Sequence, residues 1–183
     1  VSDDDKIPFV KNLGAVGVLN RKKYECFGQL PDVQDQDGYS AFIKKCRVLG
    51  KDIWDITGKK DVDIVFEHPG ESTFPVSTYL VRTGGMVVIC AGTSGYNLTM
   101  DARYIWMRQK RIQGSHFANL YQANQANEMM IQKLIKPLMS ECFNWNEIPA
   151  AHTKMMNNKH LPGNMAALVQ AKKTGMKTLN DLN

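Results

Sequence analysis

The chain has 183 residues and a mass of 20.6 kDa, with 23 lysines and arginines against 18 acidic residues, a formal charge of +5. With 43% hydrophobic and 22% charged residues, it has globular composition, which excludes a disordered or collagen-like chain, and its length suits one core. The longest apolar run, residues 86–91, falls far short of the roughly 20 residues that a membrane helix needs.

Residues 6–13 place Ile7, Phe9, Val10 and Leu13 at helical spacing, with Gly14 as a stop. Val16-Gly17-Val18-Leu19 reads as a short buried strand, and the polar residues 21–38 read as a loop insertion. Over 39–56, Tyr39, Phe42, Ile43, Cys46, Leu49, Ile53 and Ile56 describe an amphipathic helix, interrupted near Gly50. Residues 62–66 predict a second strand, closed by Glu67-His68-Pro69-Gly70, and a helix follows over 74–81. Gly84-Gly85 leads into a strand over 86–91 that ends in Gly92-Thr93-Ser94-Gly95. Residues 111–117 predict a strand, 122–135 a helix and 165–169 a late strand, while 172–183 read as a frayed basic tail. Short apolar strands alternating with helices, each strand closed by a Gly- or Pro-bearing loop, predict an α/β fold with a parallel sheet.

Ligands of such sheets sit at the carboxyl ends of the strands. The loops after Leu19, Phe66, Ala91 and His116 are therefore the candidate site. No GxGxxG fingerprint occurs, and Gly92-Thr93-Ser94-Gly95 has the wrong spacing for one. Residues 1–100 carry 12 basic and 13 acidic groups, residues 101–183 carry 11 and 5. That bias suits either a solvated basic face or a phosphate-bearing small ligand. Without an aromatic-interleaved basic motif, nucleic acid is not expected. The four cysteines, Cys26, Cys46, Cys90 and Cys142, lack metal or disulfide spacing and read as thiols in a reducing cytosol. Val1-Ser2-Asp3-Asp4-Asp5 has no signal-peptide character, and the missing initiator Met implies that translation began upstream.

At Trp54-Asp55-Ile56-Thr57-Gly58-Lys59-Lys60-Asp61-Val62-Asp63, Phe66-Glu67-His68-Pro69-Gly70 and Gly114-Ser115-His116-Phe117-Ala118-Asn119 the sequence stops being generic. These blocks strongly resemble the crotonyl-CoA carboxylase/reductases of the medium-chain dehydrogenase/reductase superfamily. The likeness extends through Arg103-Tyr104-Ile105-Trp106-Met107 to Ile148-Pro149-Ala150-Ala151-His152 and Pro162-Gly163-Asn164-Met165-Ala166. It implies an incomplete Rossmann-like parallel sheet with flanking helices, because family members are more than twice this length. The first strands, the glycine fingerprint and much of the substrate domain would lie upstream. Residues 1–140 would be a partial NADPH-binding domain, and 141–183 a segment returning to the substrate domain.

By that resemblance the whole enzyme would reduce an enoyl-CoA of the crotonyl type with NADPH. It would capture CO2 at the α-carbon to give an alkylmalonyl-CoA of the ethylmalonyl type. It would be cytoplasmic and a homo-oligomer, dimer or tetramer, with no metal, biotin, nucleic acid or membrane partner, and this fragment alone would be inactive. A plain NADPH-dependent enoyl-CoA or quinone-type reductase remains an alternative, as does a non-catalytic nucleotide-binding or oligomerisation module.

The resemblance also assigns residues. Ser2, Lys6 and Arg21 would clasp the adenosine 2′-phosphate of NADPH, where two cations and a hydroxyl suit a dianion. Asp3, Asp4 and Asp5 stand against this, as an acidic helix start. His68 would border the nicotinamide ribose, or merely belong to a Pro-Gly turn. Ala91 and Gly92 would offer backbone to the nicotinamide, since neither side chain blocks close approach. His116 would be catalytic, donating to CO2 as negative charge develops or holding a water, with its carboxylate, amide and aromatic helpers upstream. Arg103 and Tyr79 would meet the CoA moiety. His152 and His160 read as structural.

Overall fold

The computed structural model describes residues 1–135, 138–157 and 159–169. The predicted basic tail over 172–183 lies outside them. The chain divides into two compact units, Val1–Phe117 and Ala118–Asn183.

In the first unit, α1 (Lys6–Asn12) stops as expected before Gly14, whose φ is +103°. α2 (Gln36–Thr57) is capped at both ends. The Asp35 side chain accepts from the Gly38 amide at 3.1 Å, and Gly58 closes the helix in the left-handed conformation. Its 22 residues run through Gly50 without the predicted interruption. A helical glycine costs only about 1 kcal/mol, and core packing on both sides of it outweighs that. Phe42, Cys46 and Leu49 of α2 join Cys26 and Val76 in one buried cluster.

One expectation fails in the segment before α2. Residues 16–19 form no strand, and Val16 is 87% exposed. Gly17 instead lies flat against Ile56 of α2, where a Cβ would collide with that side chain. Residues 24–35 form a loop as expected, but one that contributes to the core. Cys26 is buried, Tyr24, Phe27 and Leu30 pack around it, and the Tyr24 hydroxyl donates to Asp52 at 2.6 Å. These apolar residues follow no helical or strand period, so their polar neighbours conceal them.

β1 (Val62–Glu67), β2 (Val81–Ile89) and β3 (Arg111–Gly114) form a parallel sheet in that order, as the alternating pattern predicted. α3 (Phe74–Leu80) links β1 to β2 and is buried from Phe74 to Thr78. Phe74, Val81 and Val87 make a second core cluster, flanked by Val65 and Ile89. The register pairs Glu67 with Ile89 and Ile89 with Gly114. All three strands therefore finish level. After β2 the chain passes back to the amino ends, where α4 (Arg103–Trp106) precedes β3 and the Gly84 amide donates to the Arg108 carbonyl at 2.9 Å.

In the second unit, α5 (Leu120–Ile131) opens on a capping box between Asn119 and Gln122 and stops short of the predicted end. β4 (Met139–Asn144) pairs in parallel with β5 (Asn164–Leu168), and α6 (Ile148–Met156) starts with a proline in its first turn and buries Ala151. β4 escapes prediction because Ser140, Glu141 and Asn144 break any apolar alternation. The Glu141 carboxylate accepts from the Lys154 ammonium and from the Leu161 amide at 2.9 Å, tying α6 to the chain before β5. Among the described residues no helix is long and apolar enough to cross a membrane.

Candidate functional site

The level carboxyl ends of β1, β2 and β3 bring His68, Ala91, Gly92 and His116 to one edge of the sheet. Two of the three loops are sewn together. Gly70 bridges to Gly95, and the amide and hydroxyl of Ser94 both donate to the Pro69 carbonyl, at 2.8 and 2.7 Å. The Ser72 amide and hydroxyl in turn donate to the Ser94 hydroxyl at 3.0 and 2.8 Å. Gly70 needs to be glycine, since its φ is +86° and a Cβ would lie 2.7 Å from the Gly95 carbonyl oxygen and 2.9 Å from Gly92 Cα. His68 projects from this turn and is exposed, while Ala91 and Gly92 are half-buried.

The third loop continues the ladder by one bond, from the Ser115 amide to the Ile89 carbonyl at 2.7 Å. His116 follows, exposed, with its ring centroid 3.8 Å from that of Phe117. Phe117 is 89% exposed and holds φ at +54°, an unusual value for an aromatic residue. Backbone in such sparsely populated regions clusters at active sites and ligand clamps. Among the described residues the His116 imidazole has no hydrogen-bond partner.

The proposed phosphate-end residues also converge. The Arg21 amide donates to the Val1 carbonyl at 2.8 Å, which sets Ser2 beside Arg21. The Ser2 hydroxyl donates to Asp3 at 3.2 Å, and Lys6 lies 4.0 Å from the same carboxylate. Two of the three aspartates that stood against an anion, Asp3 and Asp4, are engaged by other lysines. Asp3 pairs with Lys22 at 2.8 Å, and Asp4 with Lys23 at 3.0 Å and with the Asn20 amide at 2.9 Å. The Lys22 hydrogen bond leads in holding Asp3 below the ordinary carboxylate range, and the Asn20 hydrogen bond leads for Asp4. Among the described residues Arg21 pairs with no carboxylate.

Tyr79 and Arg103 lie elsewhere, at the amino ends of the strands. β2 alone spans on the order of 20 Å or more between the two edges. Here Asp101, 5% exposed, receives Arg103 Nη2 at 2.6 Å, Arg103 Nε at 2.9 Å and the Tyr39 hydroxyl at 2.6 Å. The Arg103 hydrogen bond is the main cause that holds the Asp101 carboxyl down at about 2, against burial. Lys110, 8% exposed, donates to the carbonyls of Thr78 and Tyr79 at 2.7 and 2.9 Å, at the negative end of α3, and lies 4.6 Å from the Tyr104 ring centroid. Burial pushes its ammonium down to about 8. A cavity of about 650 Å³ opens beside them, with Arg47, Lys51, Arg82, Arg108 and Lys110 on its walls against Asp61 alone. Sequence reasoning missed this basic cavity. Arg47 and Lys51, one helical turn apart on α2, were its only legible sign.

Residues 1–135 match the zinc-binding dehydrogenase family, and the chain belongs to it. Within that family it is 61% identical, over all 183 residues, to the crotonyl-CoA carboxylase/reductase of Cereibacter sphaeroides, of which it spans 42%. A solved crotonyl-CoA carboxylase/reductase superposes on the whole chain with a TM-score of 0.92 at 58% identity, the chain again covering 42% of it. The 2-octenoyl-CoA carboxylase reductase solved with NADP and 2-octenoyl-CoA gives a TM-score of 0.79 at 31% identity, covering all of this chain and 42% of that one. The chain thus spans about two fifths of the length of the relatives it matches. Although the family is named for zinc, no group of three or more His, Cys, Asp or Glu side chains converges among the described residues. The described residues therefore do not fit a zinc ion.

Proposed function

We propose that this chain forms the coenzyme-facing part of an NADPH-dependent reductive carboxylase, which converts an enoyl-CoA of the crotonyl type and CO2 to an alkylmalonyl-CoA. The observation that carries the reading is the level finish of β1, β2 and β3, which presents His68, Gly92 and His116 along one edge. Residues 1–140 serve the coenzyme and 141–183 return to the substrate domain. Similarity to a protein solved with NADP and an enoyl-CoA supports the same pair of ligands here.

The residues at the phosphate end fit NADPH, because the Ser2 hydroxyl and the Lys6 and Arg21 cations suit a phosphate dianion. NADPH supplies the hydride that the enoyl β-carbon accepts. Ala91 and Gly92 bring little side-chain bulk of their own, and a flat ring lies against them once the exposed Tyr96 ring, which packs beside Gly92, swings aside. The electron pair left at the substrate's α-carbon then meets either a proton or CO2. His116 decides which, by donating to a CO2 oxygen as negative charge builds there. Arg103, held by Asp101, and Tyr79 on the basic cavity's wall meet phosphates of a CoA moiety. These residues lie at the opposite edge from His116, so one chain does not offer both to one short ligand. A homo-oligomer pairing through β3 resolves this. All four β3 residues are exposed, an open edge suited to pairing with another copy. We place the assembled enzyme in the cytoplasm.

The test uses the full-length protein with crotonyl-CoA, NADPH and labelled bicarbonate. Label in the product at one equivalent per NADPH oxidised supports carboxylation. Saturated, unlabelled acyl-CoA would instead identify a plain reductase.

A further inference from the structure

We propose that Glu67 is a positioning residue that fixes the spacing between the His68 turn and the Gly92 loop, and so aligns the nicotinamide end of the coenzyme for hydride transfer. The proposal rests on the reading above that these two loops border the nicotinamide. Glu67 is the last residue of β1 and only 2% exposed. Its Oε1 accepts from the Gly70 amide at 2.9 Å and from the Thr73 hydroxyl, and its Oε2 accepts from the Ser77 hydroxyl. One carboxylate thereby fastens a strand end, the turn after it and the first turn of α3.

A buried charge is costly unless it is fully hydrogen-bonded. An apolar residue could fill the same space between sheet and helix, but it would leave the turn untied. The joint continues rigidly on the other side. The Glu67 carbonyl accepts from the Cys90 amide at 3.2 Å, which locks the ends of β1 and β2 together. Gly70, which Glu67 grips, lies so close to Gly92 Cα that not even a Cβ fits between them. At this contact the atoms facing Gly70 are backbone atoms of Gly92 and Gly95, with no side chain between to absorb a shift. Movement of the Gly70 backbone therefore passes directly to Gly92.

The test is made in the full-length protein with Glu67→Ala, Glu67→Gln and Ser77→Ala. Glutamine keeps an acceptor for Gly70 and Thr73 and can donate to a rotated Ser77 hydroxyl. Alanine releases the turn. Glu67→Ala should lower kcat about 10- to 100-fold, the scale of a small misplacement of reacting groups. The inhibition constant of 2′,5′-ADP, which samples only the phosphate end, should stay within about twofold. Glu67→Gln should recover most of kcat. A kcat unchanged in Glu67→Ala, or lost together with 2′,5′-ADP affinity in a folded protein, overturns the proposal. Should Glu67→Ala not fold, Ser77→Ala decides: a several-fold lower kcat with 2′,5′-ADP affinity intact supports it, and an unchanged kcat overturns it. A wild-type protein that does not oxidise NADPH overturns the coenzyme reading and this proposal with it, before any variant is made.

Discussion

The Tyr39 hydroxyl donates to the Asp101 carboxylate at 2.6 Å, joining the first turn of α2 to the segment that leads into α4. The same carboxylate holds Arg103 through Nε and Nη2, and the Arg103 guanidinium lies 5.5 Å from the Tyr39 ring centroid. Two side chains from distant parts of the chain, Tyr39 and Arg103, are thereby fixed by one buried anion.

That anion makes the fold acid-labile in a defined window. The Asp101 carboxyl sits at about 2 in the folded protein, below its ordinary value of 3.8. The unfolded chain therefore binds its proton first. The stabilisation is complete above that ordinary value and is lost as pH falls through it towards 2. A shift of this size is worth about 2 kcal/mol, trimmed because the Arg103 side chain is 50% exposed. Asp101→Asn should cost about that much at neutral pH and almost nothing near pH 2. Denaturation curves of both proteins across that range measure it, and a cost that does not change with pH would mean that the charge contributes nothing.

Gly50 offers a stabilising substitution. It sits inside α2, and a Cβ there would meet Leu80 Cδ2 at 3.5 Å, an ordinary van der Waals contact. Gly50→Ala should raise stability by about 0.5–1 kcal/mol through the lower entropy of the unfolded chain. Urea unfolding reads it directly. A loss of stability would show that the α2–α3 contact has no slack.

Lys6 and Arg21 give a coenzyme prediction. Lys6 is only loosely held by Asp3 and Arg21 has no carboxylate partner among the described residues, so both cations are available to a phosphate. Replacing both with alanine in the full-length protein should raise the KM for NADPH with little change for NADH. Two charge-assisted contacts set a ceiling of about 3–6 kcal/mol on the loss. An equal loss with both coenzymes would assign these residues to the fold alone.

What was legible in the sequence is what has a period or a boundary. α2 declares itself through apolar residues from Tyr39 to Ile56, and β1 and β2 through short apolar runs ended by Glu67-His68-Pro69-Gly70 and Gly92-Thr93-Ser94-Gly95. Because ligand loops follow parallel strands, the edge that gathers His68, Gly92 and His116 was legible too. The rest depends on contacts without local pattern. Cys26 reaches the core from a polar stretch, and Lys110 is buried by the carbonyls at the end of α3, thirty-odd residues earlier in the chain. Nothing local marks Tyr79 and Arg103 as lying at the other edge, because spacing along the chain does not say which end of a sheet a connection returns to.

His116 yields the prediction on which the carboxylase reading turns. It stands just past the end of β3, exposed, beside a Phe117 whose backbone holds a positive φ. After hydride transfer the same carbanionic carbon faces either CO2 or a proton, so the product ratio reports the difference between two barriers. CO2 is neutral and weakly held in its ground state. A donor near its oxygen therefore acts chiefly as charge develops, and losing one such donor costs about 2.7–4 kcal/mol. Hydride transfer precedes that charge and needs no help from the imidazole. In the full-length protein His116→Ala should shift product strongly towards the saturated acyl-CoA while NADPH oxidation falls much less. His116→Asn keeps one donor and should retain part of the carboxylation. The ratio of carboxylated to saturated product at saturating bicarbonate, read beside the NADPH rate, measures both effects. A folded His116→Ala protein with the wild-type ratio would make His116 a structural residue, since a donor that steers the α-carbon towards CO2 cannot be removed without moving that ratio.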